Sequence, residues 1–186
     1  AVRSNEGVPQ RLSGQALTYA QSREWGAGQM DCFLLGSNKS KDLDKLCRAG
    51  GSADAAPSHL IWGDSHAAAL WPGVRLAAEQ ARAPVWLASM SGCAPLVSTA
   101  TSTRCQGFNA LNVERVRTQK IPDVTLAARW SLYIYGLEDG NKSNVLLKKE
   151  SIARNEAYFA DALKAQIAEL RAAGAQVWLF KEVPQQ

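Results

Sequence analysis

The most regular apolar pattern in the chain lies near its C-terminal end. Phe159, Leu163, Ile167 and Leu170 recur at intervals of four, four and three, which predicts one helix over residues 151–173 with a single apolar stripe. Gly174 follows as a helix stop, and Gln176-Val177-Trp178-Leu179-Phe180 has the length and apolar density of a strand. Three further strands are predicted upstream. His59-Leu60-Ile61-Trp62 ends at Gly63, Val85-Trp86-Leu87-Ala88 leads into a loop over residues 89–95, and Val124 to Ala128 follows Pro122. Residues 67–81 are alanine-rich and predict a helix that Pro72 must kink or restart, and residues 108–119 predict another. Residues 130–148 read as irregular.

Short apolar strands joined by helical crossovers predict a parallel sheet covered on both faces, a three-layer α/β/α sandwich of the flavodoxin-like kind. The first 56 residues differ. They are turn-rich, with short helices expected over residues 16–25 and 42–48, and read as an extension packed on an α/β domain that spans residues 57–186.

Composition narrows the class. With 186 residues, 46% hydrophobic and 20% charged, the chain is sized for one ordinary domain. It has neither an apolar stretch of the ~18–20 residues a membrane span needs nor an opening signal-peptide pattern. The net charge of +4 is scattered, apart from Lys148-Lys149, so a solvated surface is expected and no nucleic-acid partner. Cys32 and Cys47 bracket one short segment, Cys93 and Cys105 another, without Cys-x-x-Cys or Cys/His spacing, so no metal site is expected. Four buried thiols or two local disulfides both fit. The loop-rich context favours disulfides, each stabilising by roughly 2–3 kcal/mol, and with them an oxidising compartment such as the periplasm.

Reactive groups of open parallel sheets collect beyond the carboxyl ends of the strands. Ser65 falls there, where the first domain strand turns into a helix whose unpaired first-turn N–H groups favour an anion. A serine so placed either caps the helix or attacks a carbonyl while its own amide holds the oxyanion.

Gly63-Asp64-Ser65-His66, preceded by a hydrophobic strand, resembles the first block of the SGNH (GDSL-like) hydrolases. Together with Ser91-Gly92-Cys93-Ala94-Pro95, both cysteine pairs and Leu126-Ala127-Ala128-Arg129-Trp130, it is similar to the SGNH domain fused to membrane acyltransferase-3 proteins. The resemblance implies Ser65 as nucleophile and Gly92 as an oxyanion-hole amide, unless Gly92 only permits a tight turn. Asp64 is expected to shape the turn through backbone contacts, and His66 to hold the loop or touch substrate. His59 is expected to be structural.

Two departures stand out. The family's third block supplies an Asn, whereas Ala128-Arg129-Trp130 has none; the Arg129 guanidinium or the Trp130 indole could donate instead, and an ion pair or core packing fits these residues equally. No Asp-x-x-His occurs, so the resemblance implies either a domain incomplete at its C-terminus, inactive by itself with the base outside this chain, or a protein that has lost its catalysis; the ending directly after a core strand favours the first. The implied function is O-acyl transfer, usually acetyl, to a bacterial cell-surface polysaccharide in the periplasm. An N-terminal membrane acyltransferase domain of the same inner-membrane protein would supply the acyl group, with no tightly bound cofactor. A carbohydrate esterase or a non-catalytic glycan-binding module shares the same residues.

Overall fold

The computed structural model describes residues 13–14, 32–35, 43–52, 54–98, 100–136, 140 and 144–182; the helix expected over residues 16–25 lies outside them. Six strands, β1 (Phe33–Leu34), β2 (Cys47–Ala49), β3 (His59–Gly63), β4 (Val85–Met90), β5 (Asp123–Ala127) and β6 (Gln176–Phe180), form one sheet in the order β1-β4-β3-β5-β6. These five run parallel, while β2 pairs antiparallel with the first half of β4. With β3 on one edge of β4, β1 and β2 share the other, and the Cys32–Cys47 disulfide joins them across a Cα–Cα distance of 5.2 Å.

Helices α1 (Ser65–Ala81), α2 (Thr103–Gln119), α3 (Trp130–Ile134) and α4 (Ile152–Ala172) flank the sheet. Strand alternation decides which helix meets which side chain. Ile61 points to the face where Ala67, Trp71 and Ala78 of α1 pack, whereas Leu60 and Trp62 point to the face shared with Phe108, Val113 and Val116 of α2 and Leu170 of α4. The result is the three-layer α/β/α sandwich with a parallel sheet that the sequence pattern implies.

Local chemistry sets the helix ends. Ser151 Oγ caps α4 by accepting from Arg154 N, and Gly174, at φ +93°, closes it with Gly174 N→Arg171 O and Ala175 N→Leu170 O bonds.

Several expectations need correction. Residues 42–48 do not form a helix: 43–44 are a turn and Cys47 opens β2. The open edge of β4 supplies backbone partners there that outweigh local helix preference. The α1 helix does not restart at Pro72, because Ala67, Ala68 and Trp71 on one side and Ala78 on the other are all buried against the sheet. α2 begins five residues before Phe108, capped by Ser102, and the stretch 130–148 contains the single-turn α3.

Candidate active site

In the sheet register Gly63 stands beside both Ser89 and Ala127, so β3, β4 and β5 end together and their following loops converge. The approach is close enough that a Cβ on Gly63 would lie 1.7 Å from the Ala127 carbonyl oxygen, so only glycine fits. The chain then turns into α1 with Asp64 as its cap and Ser65 as its first residue. Ser65 is half-buried, and its hydroxyl has no hydrogen-bond partner among the described residues.

Asp64, 1% exposed, is the centre of the turn. Its Oδ1 accepts from the His66 amide (2.8 Å), and its Oδ2 accepts from the Arg129 amide (3.0 Å) and the Tyr133 hydroxyl (2.7 Å). The loop after β3 is thereby tied to the loop after β5 and to α3. Burial, and then the neighbouring Asp64 charge, push the Tyr133 phenol far above its ordinary value, so it stays protonated and donates. The His66 ring Nδ1 is 3.7 Å from Asp64 Oδ1, and the side chain is 37% exposed.

The loop after β4 is built differently. Gly92 has φ +63° in a turn closed by Cys93 N→Met90 O (3.2 Å), and Ser91 N donates to Leu34 O of β1 (2.7 Å). The turn requires glycine, and the Gly92 N–H makes no hydrogen bond among the described residues. The Cys93–Cys105 disulfide (Cα–Cα 5.5 Å) and buried Asn109 pin the rest: Asn109 Nδ2 donates to Ala94 O (2.8 Å) and Leu96 O (2.6 Å), while its Oδ1 accepts from the Trp62 indole (3.2 Å). Asn144 leans over the turn, donating from Nδ2 to Gly92 O at 3.4 Å. A cavity of about 550 Å³ opens here, lined by Gly92, Tyr133 and the polar side chains of Thr101, Ser102, Asn144 and Lys148; Ser65 is not among its lining residues.

The structure brings Ser65, Gly92, Asp64 and His66 to this end of the sheet and directs the remaining two candidates elsewhere. The Trp130 indole N–H donates to Phe180 O of β6 (2.9 Å), and its ring meets Phe159 edge-on (5.9 Å). Of the two roles open to it, donor or packing residue, these contacts are those of a packing residue. Arg129 contributes its backbone amide to Asp64, while its guanidinium Nε lies 4.0 Å from Glu182, which also accepts from the Ser131 amide and hydroxyl. His59, at the amino end of β3, bonds Thr125 Oγ1 (2.8 Å). Four rises of ~3.3 Å each separate it from Gly63, which puts it well away from Ser65.

Sequence reasoning missed Tyr133, Asn109 and Asn144. No motif marks the first two. The third could have been sought by asking which Asn replaces the one absent after β5.

A parallel sheet with a helix-capping Gly-Asp-Ser turn at the carboxyl end of a central strand defines an α/β domain of the SGNH type. Residues 31–186 match the family described as the SGNH domain fused to AT3 domains, and the chain belongs to that family. Among solved structures it is similar to the periplasmic domain of the Salmonella ser. Paratyphi A lipopolysaccharide acetyltransferase. That likeness has TM-score 0.47 and 15% identity, over 66% of this chain and 44% of that one, so the match spans less than half of that domain. No curated protein sequence matches. Among the described residues no helix is long and apolar enough to cross a membrane.

Proposed function

We propose that this domain transfers an acyl group, acetyl in the simplest case, to a hydroxyl of a bacterial cell-surface polysaccharide through an acyl-enzyme on Ser65. The observation that carries the reading is the pairing of an unpartnered serine hydroxyl at the start of α1 with the unbonded Gly92 N–H at the end of the neighbouring strand. Membership of a family fused to AT3 membrane domains supports an acyl supply from such a domain, and both disulfides support an oxidising compartment, the periplasm.

In the proposed sequence Ser65 Oγ bonds to the acyl carbon as its proton passes to a base, and the Ser65 and Gly92 amides hold the oxyanion. The donor's leaving group departs with a proton. The sugar hydroxyl then gives its proton to the base as its oxygen bonds to the acyl carbon, and Ser65 Oγ leaves and takes that proton from the base. Asp64 positions Ser65 and is not the proton acceptor, since both of its oxygens are occupied by donors. His59 is too distant for that part.

Mass spectrometry of the intact protein after exposure to an activated acetyl ester tests this. Acetylation is expected on Ser65 and absent in Ser65→Ala; label elsewhere, or acylation of glycan by Ser65→Ala, refutes the acyl-enzyme. Adding oligosaccharide separates transfer, which yields acetylated sugar, from the alternative esterase, which yields free acetate.

A further inference from the structure

We propose that the cavity between Gly92 and Lys148 is the acceptor-sugar site, and that it selects glycans carrying an anionic group, a carboxylate or a phosphate. The word acceptor rests on the acyl-transfer reading; the preference for an anion rests on the lining itself.

The cavity, about 550 Å³, is walled among the described residues by the turn at Ser91-Gly92, residues 100–105 at the start of α2, Tyr133 of α3 and residues 144–148. Among the described residues no Asp or Glu lines it, and Lys148 places a cation at its exposed margin. Among the described residues Lys148 has no ion-pair partner. The carboxylates that follow it are engaged elsewhere: Glu150 lies 3.4 Å from Arg154, and the Tyr135 hydroxyl donates to Glu156. An ammonium without a counterion beside a polar hollow is available for charge-assisted bonds to a ligand.

The neighbouring hydroxyls suit a sugar. Ser102 Oγ accepts from the Cys105 amide (3.3 Å), which leaves its O–H free to donate outward. Thr101 Oγ1 donates to Ser98 O (3.0 Å), which leaves its oxygen to accept from a sugar hydroxyl. The first turn of α2 adds a weak partial positive charge on the same wall. Gly92 belongs both to this lining and to the proposed oxyanion site, so a glycan held here lies against the turn that carries the proposed oxyanion donor.

Calorimetric titration of the intact protein at low ionic strength, with three probes, tests the proposal: neutral chitotetraose, a uronate-bearing hyaluronan tetrasaccharide, and maltotetraose carrying a 6-phosphate. At least one anionic probe is expected to bind roughly ten-fold tighter than the neutral one, in line with a hydrogen bond to a charged group. The tighter of the two identifies the source of the anion. Lys148→Met should abolish the preference, and Lys164→Met, on an exposed face of α4, should leave it intact. Equal binding of all three probes, no binding of either anionic probe, or an undiminished preference in Lys148→Met overturns the proposal. Ser65→Ala separates the two claims: its binding preference should persist while glycan acylation is lost. Persistent acylation by that variant would sink the acyl-enzyme alone.

Discussion

Two loops meet at the head of the sheet, and they are held by opposite chemistry. The loop after β3 enters a helix, so its unsatisfied backbone groups are N–H donors. A buried carboxylate, Asp64, collects the His66 and Arg129 amides and the Tyr133 hydroxyl. The loop after β4 instead exposes carbonyls, and a buried amide, Asn109, donates to Ala94 O and Leu96 O. The first loop is fixed by an acceptor, the second by a donor and a disulfide. A buried polar group matches whichever backbone group its loop leaves unpaired, because either mismatch costs about 1–3 kcal/mol per group.

Exchanging the two chemistries breaks the comparison most sharply. Asp64→Asn keeps the shape but sets an NH₂ against N–H or O–H donors; a loss of about 3–4 kcal/mol is expected in urea unfolding, together with loss of Ser65 acetylation. Asn109→Asp faces a carboxylate with two carbonyls and should cost about 3 kcal/mol, while disturbing the Gly92 side of the site more than the Ser65 side. Replacing Cys93 and Cys105 together by Ser opens a loop of sequence separation 12 and should lower stability by about 3 kcal/mol relative to the oxidised parent protein, measured by urea unfolding. If that pair proves neutral, Asn109 alone holds the second loop. Tyr133→Phe removes one of the three donors to Asp64 without changing shape. About 1–2 kcal/mol of stability should go, with kcat falling and KM for the acyl donor little changed if the phenol serves to position Ser65.

The smallest effect is expected at the far end of β3. Burial lowers the His59 pKa below its ordinary 6.5, with Asp123 partly opposing the shift. A depressed histidine is neutral in the fold, so its contribution is complete above about pH 6.5 and is lost as pH falls through 6.5 toward the lower folded value. His59→Gln should flatten the acid side of the stability profile while leaving Ser65 acetylation unchanged.

Much of the frame was legible before any coordinates. β3, β6 and α4 show in their apolar runs and 3.6-residue stripe because burial on one or both faces imposes that periodicity locally. The serine turn was legible because a close backbone approach at Gly63 and a cap at Asp64 need those residue types in that order. β2 was misread as helix, since its partners on β4 lie some 40 positions onward in the register that joins Cys47 to Leu87. α3 was missed because a single turn carries too few positions to show a period.

What the sequence by itself determined is therefore the layered α/β architecture, the family and the place of Ser65, all written in local patterns of burial and turn chemistry. Only the tertiary structure decided which groups gather around that turn and which are turned elsewhere. Tyr133 reaches Asp64 across 69 positions, Asn109 reaches Trp62 across 47, and Trp130 gives its indole to β6 across 50. Such hydrogen bonds depend on where whole strands come to rest side by side, and no spacing along the chain encodes that.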